Sequence, residues 1–406
     1  MRQIAKPAAP ALPREPQALT EWLQAQTEAL LPELTQISDA MYARPELGME
    51  EHFACGLHIE LLEKHGFRVT RHYCGMPTAY YAEYDSGKPG LTVGFLAEYD
   101  ALPGIGHGCG HNVLGMASAG AGILLSRMIR EVGGKVIVYG TPAEETEGAK
   151  VAMAREGAFD GLSFAMMAHP AAGWVRSGRS LALQPLQFEF HGKTAHAASC
   201  PWEGINALDA ALVTMTAINA LREHMRPDAR VHGIIAEGGQ AANVVPDYCR
   251  MQYYVRSATK KYNAELTEKV KRCAEAGALA TGCTLDITEF EPPYDDLVTN
   301  EALMDVFAQA LSDICGADIS APDENMGSLD AGQVSHICPT IHPYYDIANG
   351  TPAVAHSREL AACTITPYAH KTTGDTAAAM ALCAYRVMND AALYGRIREE
   401  FDRIGE

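Results

Sequence analysis

The chain has 406 residues, 48% hydrophobic and 20% charged, proportions of a globular protein that exclude a disordered or collagen-like chain. Asp and Glu total 50 against 32 Lys and Arg, a formal net charge of -18. That charge repels phosphate backbones and anionic lipid, so neither nucleic acid nor membrane is an expected partner.

The Ala- and Pro-rich N-terminus, Met1 to Pro16, lacks the apolar core of a signal peptide. No stretch reads as the ~18 apolar residues of a membrane span. The expected location is therefore cytoplasmic. The 11 cysteines follow no framework spacing and read as free thiols in a reducing compartment. The 15 histidines make their placement the main question.

In chain order, Ala18 to His65 reads as helical, with Leu23, Leu30, Leu31, Leu34 and Ile37 at three- and four-residue spacings. Leu91 to Ala97 is a short apolar run suited to a strand buried on both faces, as in a parallel sheet. Asn112 to Val132 reads as a helix, and Lys135 to Gly140 and Ser163 to Ala168 as two more buried strands. Strands alternating with helices indicate an α/β sheet, and with it an α/β domain.

From about Gly178 to Pro293 the order becomes β-α-β-β-α-β, which is ferredoxin-like. This places an inserted domain at 178–293 between two parts of the catalytic domain, 1–177 and 294–406. From Asn300 the chain returns to helices and short strands, and it ends on a long helix from Thr373 to Ile404. No internal repeat is visible.

Three of the strands run into ionisable residues: Glu98 and Asp100, Glu144 and Glu145, and His169. Ligands bind beyond the carboxyl ends of strands in open α/β sheets, so these groups are expected to share one crevice. Between the first strand and its helix stands His107-Gly108-Cys109-Gly110-His111-Asn112. Thiolate and imidazole are ligands for zinc or a similar divalent ion. A zinc finger would need a second Cys or His pair. With Glu144, Glu145 and His169 there are too many ligands for one tetrahedral ion but enough for two, and metals ~3.5–4 Å apart are a hydrolytic arrangement. One acid of the Glu pair can ligate while its neighbour serves as general base. A Cys109 nucleophile activated by His107 or His111 is the alternative, but it leaves the Glu pair unexplained.

The motifs Ala97-Glu98-Tyr99-Asp100-Ala101-Leu102-Pro103-Gly104, Gly108-Cys109-Gly110-His111-Asn112, Pro142-Ala143-Glu144-Glu145 and Gly192-Lys193-Thr194-Ala195-His196-Ala197-Ala198 resemble the aminoacylase and aminobenzoyl-glutamate hydrolase branch of the dinuclear metallopeptidases (peptidase family M20, subfamily D). The resemblance runs from about Leu19 to the end. It implies an amidohydrolase acting on N-acyl or N-aminoacyl amino acids, such as aminobenzoyl-glutamate-like conjugates or dipeptides. It implies two divalent ions per chain, zinc first and manganese as the alternative, and a homodimer formed through the inserted lid domain.

Carried over by position, Cys109 would bridge the ions. His111 and Glu145 would ligate one ion and His169 the other. Glu144 would be the general base, and Asp100 would orient a ligand. The last ligand would be His356, with His370 and His342 as rivals. In the lid, His196 would stabilise the oxyanion from a neighbouring subunit, and Asn243 and Arg256 would hold a substrate carboxylate. The bland alternatives are a turn for Asn243 and a surface ion pair for Arg256. Gly327-Ser328-Leu329-Asp330 departs from the acidic pair of many plant and bacterial relatives, and it fits the aminobenzoyl-glutamate side of the branch better than the auxin-conjugate hydrolases. His107 reads as a neutral loop His. The competing class is a non-catalytic relative that binds a metabolite without cleaving it.

Overall fold

A computed structural model describes residues 12–322 and 327–403. The chain forms two compact units. The first comprises Met1–Gly178, Thr299–Asp323 and Ile337–Glu406; the second comprises Arg179–Val298 and Glu324–His336. The second unit thus takes in a late segment that the sequence pattern assigns to the catalytic domain.

The first unit opens with α1 (Pro16–Ala43) and α2 (His52–Lys64). The helix expected over Ala18 to His65 is therefore two helices. The turn between them carries Pro45, which lacks the N–H a helix interior needs. Then come β1 (Arg68–Arg71), β2 (Tyr80–Asp85), β3 (Thr92–Ala97), α3 (His111–Val132), β4 (Lys135–Gly140), α4 (Ala149–Arg155), β5 (Phe164–Met166) and β6 (His169–Ala171). The second unit holds β7 (Ala182–His191), α5 (Ala207–Leu221), β8 (Arg230–Glu237), β9 (Tyr248–Ser257), α6 (Lys260–Thr281) and β10 (Thr284–Thr288). The first unit resumes with α7 (Glu301–Cys315). A short helix, α8 (Ala331–Ser335), belongs to the second unit. The first unit then ends with β11 (Thr340–Ile341), β12 (Tyr344–Asp346), α9 (Arg358–Cys363), α10 (Pro367–Met388) and α11 (Ala391–Asp402). The single C-terminal helix expected from Thr373 is thus two. Asp390 separates them, its carboxylate accepting from the N–H groups of Ala392 and Leu393 and so starting a new helix; Ile404 lies outside the described residues.

The sheet of the first unit has the order β1-β2-β4-β3-β5-β11. The strands β4, β3, β5 and β11 are parallel, and β2 joins β4 antiparallel. The fold is the expected α/β class with a mixed central sheet. Every residue of β3 and β4 after the first is buried, as strands covered on both faces require.

α3 packs on this sheet through glycines. A Cβ at Gly122 would stand 2.4 Å from Val138 Cγ2, and one at Gly115 would stand 2.5 Å from the Glu98 carbonyl oxygen. The helix corrects one expectation. By length and composition it is apolar enough to cross a membrane, but 94% of its apolar window is buried inside the fold, so it is a core helix.

In the second unit the four-stranded sheet has the order β10-β7-β9-β8, with every neighbouring pair antiparallel. That is the ferredoxin-like arrangement. In β9 buried and half-buried residues alternate along the whole strand, because one sheet face is covered by α5 and α6 and the other is not.

Candidate metal centre

The parallel strands β3, β4 and β5 end at the same level, Ala97 opposite Gly140 and Phe95 opposite Met166. Their exits therefore bring Glu98 and Asp100, Glu144 and Glu145, and His169 to one edge of the sheet. α3 begins at His111, and the residue before it, Gly110, is left-handed (φ 84°). A Cβ there would meet Pro170 at 2.5 Å, so the loop can approach β6 only because residue 110 is glycine.

The side-chain ligand atoms gather in three overlapping sets, each within 4.8 Å: Cys109 with His111 and His169, Cys109 with Glu145 and His356, and His111 with Glu144 and Glu145. The Cys109 sulfur is common to the first two. The third set keeps His111 beside Glu145, as in the expected partition, while the first also brings His169 to His111 and the second brings His356 to Glu145. Cys109 Sγ lies 3.4 Å from His169 Nε2, and His356 Nε2 lies 3.2 Å from Glu145 Oε1. His356 is itself left-handed (φ 63°), and its N–H donates to the Gly108 carbonyl at 2.9 Å. The late loop is thereby tied to the Cys109 loop.

Asp100 organises two of these groups. One carboxylate oxygen lies 2.8 Å from His111 Nδ1 and the other accepts the backbone N–H of Glu145 at 3.0 Å. A proton kept on Nδ1 facing Asp100 would leave Nε2 as the ring atom offered to a bound ion. His169 is held alike, its Nδ1 lying 2.9 Å from the Pro170 carbonyl oxygen.

Burial, with His342 and His111 nearby, lowers His169 to about 3 and keeps its imidazole neutral. For His111 burial also works against the proton, but Cys109, Asp100 and Glu98 outweigh it and draw the group upward. Glu98 is equally buried. The Lys150 ammonium, 2.6 Å from its Oε1, outweighs burial together with His111 and His169 and holds the carboxyl at about 2. For Cys109 burial is the largest effect and pushes the thiol up, with His111 opposing.

His111 Nε2, Glu98 Oε2 and Glu145 Oε1 are buried and make no hydrogen bond; they meet only ion-pair contacts, His111 Nε2 with Glu98 Oε2 and Glu145 Oε1 with His356 Nε2, each at 3.2 Å. A cation among them would give these buried polar atoms a partner. The donor set of one sulfur, three imidazoles and a carboxylate fits a borderline divalent ion.

Of the rivals for the last ligand, His370 pairs with Asp39 at 2.9 Å and enters none of the three sets. His342 is buried and stacks on His169 with ring centroids 5.5 Å apart. His107 lies in the loop before α3, as expected, but buried, and burial lowers it to about 4 and keeps it neutral.

The other expected residues lie in the second unit. His196 is exposed, and its Nδ1 accepts the N–H groups of Ala198 and Ser199 at 3.2 and 3.3 Å. The ring proton is therefore left on Nε2, a donor pointing outward. Asn243 is exposed, and its carbonyl accepts the Ala197 N–H at 3.0 Å. Arg256 donates to Ser328 Oγ at 3.0 Å, while its Nε is buried and unpartnered. Among the described residues Arg256 makes no ion pair. Lys150 is a member of the centre that the sequence motifs do not reveal. Its only trace there is a Lys in an apolar short helix, Ala149–Arg155, where a charge reaching inward needs a buried acid.

The peptidase dimerisation domain matches residues 184–281. The Xaa-Arg dipeptidase of Mus musculus is 37% identical over 385 residues, covering 91% of this chain and 88% of that protein. One of the p-aminobenzoyl-glutamate hydrolase subunits of Escherichia coli is 35% identical over 299 residues, 68% of this chain and 62% of that one. Among solved structures, an aminobenzoyl-glutamate utilization protein from Klebsiella pneumoniae superposes with a TM-score of 0.71 at 18% identity, covering 89% of this chain and 98% of that one. A dinuclear metal binding peptidase of Bacillus subtilis from the M20 family does so at 0.66 and 19%, covering 88% and 99%. At such identities the two structures speak to the fold alone.

Proposed function

The chain belongs to the M20 family of peptidases and amidohydrolases, and from that premise we propose that it hydrolyses dipeptides or N-acyl amino acids at a centre built on Cys109. Two divalent ions are assigned, one to Cys109, His111 and His169 and one to Cys109, Glu145 and His356. Zinc is the first choice for these donors, with manganese as the alternative. The observation that carries this reading is the Cys109 sulfur shared by two ligand sets beside an adjacent Glu pair.

Ions bound there supply Lewis acidity, which brings the pKa of water from 15.7 to about 7 and polarises an amide carbonyl. Glu144 accepts the proton of the attacking water and returns it to the leaving amine. Asp100 keeps His111 in the Nδ1–H tautomer and steadies Glu145 through its backbone N–H. His196 contributed by a neighbouring subunit, with its proton on Nε2, donates toward the developing oxyanion. Arg256 and Asn243 receive the free carboxylate of the amino-acid half. The unpartnered Arg256 Nε supports this role. The relatives named for Xaa-Arg dipeptides and for p-aminobenzoyl-glutamate bracket the substrate class.

The same reading includes a homodimer. β8 is an edge strand that exposes Ile234, and α5 exposes Leu212 and Val213. An open edge and apolar surface on a dimerisation domain support a second copy as the occupant. A cytoplasmic, reducing setting suits a centre that depends on one thiolate.

Glu144→Gln tests the assignment. The variant keeps parental metal content and loses turnover by about 10²- to 10⁴-fold, the range one acid–base group supplies. Parental turnover in this variant removes Glu144 as the base. Parental binding of substrate without turnover in the unaltered chain supports the non-catalytic class instead.

A further inference from the structure

The turn between α1 and α2 reaches across to two of the strand exits that build the centre. The Glu46 carbonyl accepts the N–H of Ala101, just past β3, at 2.8 Å. Five residues on, Glu51 Oε1 accepts the N–H of Ala143, just past β4, at 2.8 Å. Glu51 is fully buried. Its other oxygen accepts the Thr78 hydroxyl at 2.8 Å, and Thr78 is itself held by Tyr99, whose hydroxyl donates to its carbonyl at 2.6 Å.

Ala143 is the residue at which the chain turns toward Glu144 and Glu145, and it sits at φ 57°. The left-handed region strains a residue that carries a Cβ. Such conformations persist where surrounding contacts over-determine them, and they cluster at functional sites. The surroundings here do so from two sides. The Ala143 carbonyl closes the turn by accepting from Gly148 at 2.7 Å, and the N–H is taken by Glu51. The α1–α2 turn also lies so close above that a Cβ on Gly48 would come within 2.9 Å of the Ala143 Cβ.

Among the described residues Glu51 has no cationic partner. Filling the volume alone would not call for a carboxylate, since a buried charge without a counter-ion is costly. We propose that Glu51 is a positioning residue of the hydrolytic centre: strapped between the Ala143 N–H and the Thr78 hydroxyl, its carboxyl group holds Ala143 left-handed and so fixes the direction in which Glu144 and Glu145 leave β4. The inference rests on the reading of those two residues as base and ligand. Burial, with Asp100 adding to it, lifts the Glu51 carboxyl to about 7, so a neutral amide of the same shape is a fair substitute.

The test compares Glu51→Leu, Glu51→Gln and Glu51→Leu/Ala143→Gly as full-length chains. It measures zinc affinity by titration calorimetry, kcat and KM on a dipeptide the parent cleaves, and folding by thermal unfolding. Glu51→Leu preserves volume but removes the strap. It is expected to lose about 10- to 100-fold in zinc affinity, the range typical of groups that orient a ligand, and to lose kcat with little change in KM. Glu51→Gln recovers most of both. Ala143→Gly recovers part of both in the Leu background, because glycine adopts positive φ without the strap; a simple packing defect would not respond to it. Parental zinc affinity and kcat in a folded Glu51→Leu chain overturn the proposal, as does a Glu51→Gln variant as impaired as Leu. A parent that binds zinc but cleaves nothing defeats the hydrolase reading instead, and the zinc affinities then still decide the strap.

Discussion

Asp100 shows how much one carboxylate can organise. One oxygen fixes the tautomer of His111 and the other holds the backbone of Glu145, so a single residue serves both assigned ion sites. Asp100→Asn keeps an acceptor for His111, but the amide nitrogen cannot accept the Glu145 N–H. Metal affinity is expected to fall about 10- to 100-fold while the fold survives, as read by metal titration beside circular dichroism. Unchanged affinity would remove Asp100 from its orienting role. Asp100, Glu144, Glu145 and His169 were legible in the sequence as candidates because ligand-type residues stood just after short apolar strands whose parallel order brings their ends together, and Cys109 and His111 because thiol and imidazole stood in one short motif before α3. His356, His370 and His342 could not be separated that way, since no strand pattern says which late loop folds back. The Gly108–His356 backbone bond and the His370–Asp39 pair distinguish two of them. Lys150 and Glu51 were not legible as parts of the centre. Their partners lie 52 and 92 residues away, and neither carries a local motif.

At the scale of elements, the order of strand and helix patterns made the inserted β-α-β-β-α-β unit readable, and the continuous apolar runs did the same for β3 and β4. Helix ends were less legible. The breaks after Ala43 and Met388 depend on a proline turn and on the Asp390 cap, which are weak signals beside a long helical pattern. The close packing of α3 on the sheet was hidden altogether, because a glycine in a helix pattern does not show what it lies against. Gly122→Ala places a methyl 2.4 Å from Val138 Cγ2. Val138 is a buried, β-branched residue with little freedom to move, so the overpacking should destabilise by about 1–3 kcal/mol. Urea unfolding of the variant checks this, and an unchanged midpoint would mean that α3 can shift off β4 at no cost.

For the whole molecule, buried histidine sets a pH dependence of stability apart from the catalytic centre. His58 is buried between α2 and the sheet, with Nδ1 2.9 Å from the Tyr80 hydroxyl, and burial lowers it from 6.5 to about 3. Its folded value lies below its unfolded one, so the unfolded chain takes up the proton first as pH falls. The stability is complete above about pH 6.5 and drains as pH drops toward 3, at no more than ~1.4 kcal/mol per pH unit. His58→Gln keeps a partner for Tyr80 and should flatten this slope; urea midpoints at pH 7.5 and 5.5 for both proteins measure it, and equal slopes would contradict the assignment.

The central claim is that two ions sharing Cys109 make this chain an amide hydrolase. Metal content and turnover of the same preparation, chelated and then titrated with zinc or manganese on a panel of dipeptides and N-acyl amino acids, test it most directly. The account predicts no amine release from the ion-free chain and recovery that saturates at two ions per chain. Full turnover by the ion-free chain, or saturation at a single ion, would contradict it.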